Sequence, residues 1–455
     1  MDDFERAILF SFDQSGAVDA QLKAQARAFC EQAKQSPTIW QACFDKFRIS
    51  QYAEVQFWCL QALEEDSPGL SSSRPVFVKN KLAQIIVILI CIEFPSEWPS
   101  GFLDMLTYLS KGPAVVDMFC RVFNTLDEEV ISLDFPRSLE EIAAATRIKD
   151  GMRQQCISQI VGAWYSLVVM YRVRQPYLAT AVLDTVHRYV AWIDIGLVAN
   201  DSFVPLLFEI LVSQKEIPQL RGAATDCLLA IVSKRMEATS KLALLQKLNI
   251  GQVCSRLTED QEPEFALKLT ALLTGLATEI LECSKKFDVN GVSSQAPEAK
   301  ETALMMLDEV LPSVFYFMSH GNEDISSTTF QFLSNYVGRM KSGMVCNGKQ
   351  AAHVAQILEV IRNRMLHDPS NEDCLVGPDR IGQEEEEKLL DYRKDLFGLF
   401  RIIHRVAPDV TRTFVQSTLR AALANPDVSF ENVEAAISLL YVLGEGVTED
   451  ALKLS

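Results

Sequence analysis

The sequence predicts an all-α protein built as a superhelical solenoid of antiparallel helix pairs. Three observations predict it. Apolar residues recur at i, i+3, i+4 and i+7 along nearly the whole chain, the period of an amphipathic helix. Glycine (20) and proline (17) are few for 455 residues, and long stretches lack turn clusters. The pattern reads as about seventeen helices with short loops, and a pair occupies about 40 to 47 residues.

That spacing is the period of HEAT-type repeats, in which each helix pair buries its apolar face on its neighbours. Taken in order, Ser36-Pro37 supplies a cap and a first-turn proline. A helix is expected over 52–65, and a second over 76–93, joined by the polar stretch 66–75 (DSPGLSSSRP). Both have the pattern of second helices of consecutive pairs, so the first helix of the later pair is absent. A missing helix in a solenoid leaves a strip of apolar surface uncovered. The helix over 76–93 ends in a Pro95-x-x-Trp98-Pro99 turn, and Phe102, Leu103, Met105, Leu106 and Leu109 mark the next amphipathic helix. Ser138-Leu139-Glu140-Glu141 is a capping box opening a helix that runs to about Arg172. Further stripes follow at Phe203, Leu206, Leu207 and Ile210, at Leu220, Ala223, Cys227 and Ile231, at Val354, Ile357, Leu358 and Ile361, and at Phe430, Val433, Ile437 and Tyr441. Linkers at 288–297 and 368–383 divide the chain into segments 1–130, 131–287 and 298–455, with an acidic loop over 368–387.

Composition excludes several function classes. The net charge is −17, so binding of nucleic acid by bulk charge is excluded, and any RNA contact needs a local basic stripe. An acidic body suits a basic protein partner. Eleven cysteines lie scattered among apolar neighbours without a Cys-x-x-Cys pair, which points to buried thiols in a reducing compartment. The acidic start Met1-Asp2-Asp3-Phe4-Glu5 is no export signal, and the longest apolar run, Ile85 to Ile92, is too short to span a bilayer. No membrane insertion is expected.

No phosphate loop, Gly-x-Ser-x-Gly or His-Glu-x-x-His occurs, and His187, His320, His353, His367 and His404 lack metal spacing. No enzymatic activity, metal or cofactor is therefore expected. The aromatics Trp40, Phe57, Trp58, Trp164 and Trp192 fall on apolar stripes and read as core rather than as base-stacking platforms. Basic residues cluster modestly, and Lys149 and Arg153, or Arg401 and Arg405, are four apart and share a helix side. Such pairs can line a phosphate path, although ordinary solvation and pairing with nearby carboxylates is the commoner use of any one of them. The run Glu384-Glu385-Glu386-Glu387 reads either as a contact for a basic partner or as a solvated helix start.

Several segments carry a family resemblance. Asn80-Lys81-Leu82-Ala83-Gln84 with Pro95-x-x-Trp98-Pro99 resembles a helical repeat of the importin-β/exportin superfamily. Ile148-Lys149-Asp150-Gly151-Met152-Arg153-Gln154-Gln155-Cys156 and the Trp192-Ile193-Asp194 to Asn200-Asp201 junction resemble one branch of it, exportin-T, which exports transfer RNA. Asp226-Cys227-Leu228 and Tyr392-Arg393-Lys394 match as well, and the register is similar to plant members.

The resemblance implies a right-handed HEAT superhelix without a cofactor, shuttling between nucleus and cytoplasm. Its implied partners are the small GTPase Ran in the GTP form, mature tRNA, and nuclear-pore FG-repeat proteins. On that basis Gln56, Gln61, Lys79, Asn80, Lys81, Glu384, Glu385, Glu386 and Glu387 are expected to face Ran. Lys149, Arg153, Arg362, Arg401 and Arg405 are expected to face tRNA, read by shape and phosphates. Members of that branch are much longer, so its C-terminal half is expected to be missing here. The competing reading is a HEAT scaffold or other importin-β-type carrier without RNA cargo.

Overall fold

Helices account for all the regular structure among the described residues, and the start signals explain where several begin. A computed structural model describes residues 2–13, 18–34, 36, 39–52, 54–55, 58–59, 62, 76–132, 136–254, 262–289, 296–340, 348–366, 380–424 and 429–453, and no strand occurs among them. The chain divides into two units, Met1–Lys149 and Asp150–Ser455. The expected linker 66–75, most of 368–383, and Gln56 and Gln61 lie outside the described residues.

The first unit opens with α1 (Asp3–Phe12), α2 (Ala20–Lys34) and α3 (Ile39–Ile49). Asp2 caps α1 by accepting from the Glu5 amide at 2.9 Å. Ile8, Cys30, Cys43, Val55, Trp58 and Cys59 form one core, with Phe4 edge-on to Trp58 at 5.3 Å. Helix α4 (Val76–Glu93) follows, then α5 (Gly101–Tyr108), α6 (Pro113–Leu126) and a π-turn over Asp127–Ile131. Phe94, Phe102 and Phe123 pack in sequence between these helices, the first pair edge-on at 4.8 Å and the second tilted at 5.6 Å.

The Pro-x-x-Trp-Pro turn has a mechanical basis. Trp98 donates from Nε1 to Asp104 at 2.9 Å, which locks the indole over the start of α5. Gly101 lies under that ring, where an added Cβ would sit 2.8 Å from it. Only glycine allows the approach. The capping box forms as expected: Ser138 N–H donates to Glu141 at 2.7 Å, and Glu141 N–H to the Ser138 hydroxyl at 3.2 Å.

The helix expected from 139 to about 172 is two helices. Cys156, with φ −145° and ψ −14°, ends α7 (Leu139–Gln155) and starts α8 (Ile157–Tyr171). The break turns Trp164 inward against Tyr189, both wholly buried at 5.3 Å. No glycine or proline marks it, so periodicity alone runs through.

The second unit stacks helix pairs in two layers. One layer holds α9 (Pro176–Val190), α11 (Pro218–Ser233), α14 (Pro263–Val289), α17 (Phe330–Arg339), α19 (Arg380–Val406) and α21 (Phe430–Lys453), each packed on the next. The other holds α10 (Phe203–Val212), α12 (Ala238–Leu248) with α13 (Ile250–Cys254), α15 (Ala296–Met318), α18 (Lys349–Arg364) and α20 (Pro408–Ala424). The short α16 (Glu323–Ser327) leads into α17. Repeating pairs that bury their faces on neighbours are the HEAT-type arrangement the period predicts.

Two boundaries differ from the sequence reading. Helix α14 runs on to Val289, and α15 begins at Ala296, which narrows the 288–297 linker. Helix α19 begins at Arg380, so Glu384 to Glu387 sit in a helix rather than in an acidic loop. They start four residues in, past the first turn where the dipole favours carboxylates most.

Among the described cysteines none is disulfide-bonded, and all but Cys91 are buried. Burial pushes the Cys156 thiol up to about 12, so it stays protonated. No described helix is long and apolar enough to cross a membrane.

Candidate binding surfaces

Most of the basic and motif residues singled out in the sequence are joints between helices. On α4, Lys79 donates to Asp117 of α6 at 2.9 Å. Arg121 grips the same carboxylate at 3.1 Å and donates to Asn80 at 2.6 Å. Burial pushes the Asp117 carboxyl up, but Arg121 and Lys79 outweigh it and hold it below the usual range. Gln84 donates to Glu129 at 2.8 Å, so three side chains of one motif tie α4 to its neighbours. Lys81 alone among the charged residues of this motif is exposed, and among the described residues its polar partner is Gln84 at 3.1 Å.

In the second unit the two most specific motifs meet each other. Arg153 pairs with Asp150 at 2.9 Å, donates to the Trp192 carbonyl at 3.0 Å, and lies over the Trp192 ring at 5.3 Å. Trp192 is therefore half-buried under a guanidinium, not part of the apolar core as its stripe suggested. Asp194 caps the following turn through the Gly196 amide at 2.8 Å. Asn200 accepts from the Phe203 amide at 2.9 Å and donates to the Leu197 carbonyl at 2.8 Å, which starts α10. Lys149, on α7, is partly buried.

The remaining tRNA candidates divide. Arg362 pairs with Glu359 at 3.0 Å on its own helix, and Arg401 with Glu445 of α21 at 3.0 Å. Arg405, one turn beyond Arg401 on α19, is exposed and has no polar partner among the described residues. The side chains of Glu384 to Glu387 lie outside the described residues, as do those of Trp40 and Phe57. Trp58 and Trp164 are core, as expected.

Sequence reasoning missed the residues that pin successive repeats. Lys234 donates to the carbonyls of Val190 at 2.7 Å and Ile193 at 2.6 Å, capping the end of α9. Arg393 spans from the Met365 carbonyl to Glu434 at 2.8 Å. Arg364 reaches the Tyr392 hydroxyl at 3.0 Å and the Gly321 carbonyl at 2.9 Å. The signal was present for two of them: Lys234 and Arg364 are basic residues at or just beyond helix C-termini, where free carbonyls need donors, whereas Arg393 lies in the middle of α19 and only the fold shows its reach.

One apolar depression opens on the layer of α10 and α13. It encloses about 580 Å³ and is lined by Pro205, Phe208, Val212 and Val253, with Asn249 and Gln252 at its edge. Glu209 on its rim is paired to Arg172 at 2.6 Å. Its lining suits an aromatic or aliphatic side chain. Among the described residues no group of His, Cys, Asp or Glu is placed to hold a metal ion.

Comparison with known proteins identifies the family. The description "Exportin 1-like protein" matches residues 75–228, and "Exportin-T" matches residues 297–454. Exportin-T of Arabidopsis thaliana is 45% identical over 486 aligned positions, covering 100% of this chain and 48% of that protein. Exportin-T of Oryza sativa subsp. japonica is 40% identical over 483 positions, covering 100% and 48%. Human Exportin-T is 28% identical, covering 94% and 46%. The chain thus spans about half the length of the curated relatives it matches. Because 486 aligned positions exceed a chain of 455 residues, 31 or more of them stand opposite gaps in this chain. A solved structure of importin-13 in its cytosolic state aligns with a TM-score of 0.62 at 10% identity, covering 90% of this chain and 47% of that one. That likeness concerns the fold, a HEAT-repeat solenoid. With whole-chain similarity to plant Exportin-T and the two family matches, the chain belongs to the exportin-T family of the importin-β/exportin superfamily.

Proposed function

We propose that this chain is a tRNA-binding nuclear export receptor segment that takes up tRNA together with Ran in its GTP form. The observation that carries the reading is the 45% identity to Arabidopsis thaliana Exportin-T along the whole chain. Ran meets the N-terminal repeats over 1–130, through Lys81 with Gln56, Gln61 and the Lys79-Asn80 turn of α4, and meets Glu384 to Glu387 on α19. The tRNA lies along the helices that carry Lys149, Arg153, Arg362, Arg401 and Arg405; Arg153, Arg362 and Arg401 are held by carboxylates of this chain, which leaves Arg405 as the cation most free to meet a phosphate. The net charge of −17 makes such contacts local and salt-sensitive. FG-repeat phenylalanines seat in the depression around Phe208 and Val212. The protein shuttles between nucleus and cytoplasm and performs no chemistry of its own.

Direction comes from linkage: if Ran-GTP tightens tRNA binding, tRNA tightens Ran-GTP binding by the same factor. The test is a titration of labelled mature tRNA against the chain, with and without Ran locked in the GTP form, at two salt concentrations. Tighter binding with Ran-GTP, weakening at high salt, is the expected result. Ran-GTP binding with no tRNA affinity would point instead to a carrier of protein cargo, and loss of both to a scaffold.

A further inference from the structure

Helix α4 is apolar on every side over its second half. Ile85 to Ile92 is an unbroken run of eight apolar residues, more than two full turns. A helix apolar all round belongs in a site with neighbours on all sides. Three sides of α4 have them. Ala83, Val87 and Ile90 are buried, and Ile85 is nearly so. Lys79, Asn80 and Gln84 tie a further side to α6 and Glu129. The Cys91 carbonyl accepts from Arg147 of α7.

The fourth side is uncovered by the described residues. Ile88 is 53% exposed and Ile92 70% exposed, and with Lys81 they fall at i, i+7 and i+11, one face of the helix. Two exposed isoleucines a turn apart, in a half of the helix that is otherwise buried or partly buried, are a contact face without a partner among the described residues.

The relatives' aligned lengths bear on what the partner is. The Arabidopsis relative has at least 31 aligned positions with no counterpart in this chain, and the rice relative, at 483 against 455, at least 28. Taken as one contiguous stretch, that length makes one helix of about 18 residues with its two connections. The sequence places the break before α4, where 66–75 joins two helices that read as equivalent members of successive pairs. The match to the Exportin 1-like description also begins only at residue 75.

We propose that the Ile88/Ile92 face of α4 is an open helix seat: the place of a helix that longer relatives carry in their own chain, and which this chain takes in trans. The occupant is an amphipathic helix of the chemistry of that relative segment, with an apolar i, i+3/i+4, i+7 stripe against the isoleucines. This goes beyond the tRNA-export reading and does not depend on it, since no Ran or RNA enters the test.

The experiment uses the full chain and a fluorescent peptide made from the Arabidopsis thaliana Exportin-T segment that aligns opposite the gap. Anisotropy should show saturable one-to-one binding. The double substitution Ile88→Asp, Ile92→Asp should weaken it at least tenfold, whereas Leu423→Asp, at an exposed position of the other unit, should leave it unchanged. Inserting the segment in cis between residues 65 and 76 should abolish peptide binding and raise the thermal midpoint, an arm that needs no disruptive variant. Absence of peptide binding overturns the proposal. Binding that survives the double aspartate variant overturns it too, because the seat is then elsewhere. A dimer in sedimentation that the double variant abolishes would replace it with a second copy of this chain as the occupant. A gap that maps away from 66–75 removes its basis.

Discussion

Lys79 and Lys81 lie two residues apart in one motif, and the structure gives them opposite roles. Lys79 sits 2.9 Å from Asp117 with its side chain 13% exposed and that of Asp117 26% exposed. Breaking a charge-assisted hydrogen bond of this kind costs roughly 1.5 to 3 kcal/mol before solvent screening. Lys79→Glu goes further and sets a carboxylate beside Asp117, which Arg121 alone must then neutralise. Like charges at about 4 Å repel by about 4 kcal/mol at the effective dielectric of a protein surface. Relaxation toward solvent recovers part of that, leaving a net loss of roughly 2 to 4 kcal/mol. For a body of about 150 residues this lowers the melting midpoint by roughly 5 to 12 °C. Lys81 has Gln84 as its polar partner among the described residues, and Lys81→Glu should stay within about 0.5 kcal/mol of the parent. The assay is thermal unfolding by circular dichroism, with Ran-GTP titration of each folded variant. The sign in acid follows from Asp117, whose carboxyl is depressed. Its contribution is present above the unfolded pKa near 4 and lost as pH falls through the lower folded value, so the Lys79 effect should shrink progressively as pH falls below about 4. An unchanged midpoint for Lys79→Glu at pH 7 would refute the role of this pair. So would a Lys79→Ala, Asp117→Ala cycle with no coupling. Only Lys81→Glu then reads Ran contact without a stability artefact.

Three further outcomes are expected. Arg405→Ala should weaken tRNA binding about equally across sequences and reduce the salt slope by about 1, whereas Arg153→Ala should leave the slope and cost stability by roughly 1 to 2 kcal/mol; a reversed pattern in salt-dependent filter binding and urea unfolding would exchange their roles. Burial holds His187 below its usual pKa, against the opposing pull of Asp226 and Asp184. The unfolded chain therefore takes up the proton first, stability falls as pH drops through 6.5, and His187→Gln should flatten that fall in urea midpoints measured at pH 7.5 and 5.5, leaving a smaller slope from the similarly buried His353. Gly101→Ala forces a methyl against the Trp98 ring and should destabilise by roughly 1 to 3 kcal/mol, read as a lower midpoint with lost near-ultraviolet signal from Trp98.

The fold was legible because its signals are local. The 3.6-residue period and the Ser138/Glu141 capping box are contacts within one helix, and both appear in place. The Cys156 break was not legible, because it is imposed by where Trp164 must pack against Tyr189, a contact across repeats. The candidate site divides along the same line. Basic residues were visible as composition, but whether a cation is free depends on a partner far away in sequence. Lys79 is consumed by a carboxylate 38 residues on, Arg401 by one 44 residues on, and Arg153 by the Trp192 carbonyl 39 residues on. Those separations approach the repeat length, so each of these side chains reaches toward an equivalent position in the next repeat. A motif that recurs in a solenoid is thus first a joint specification, and it conveys binding only where the next repeat leaves a side chain unanswered. Lys81 and Arg405 are such positions, and the Ile88/Ile92 face is their apolar counterpart: a contact specified by the sequence of α4 that no described residue answers.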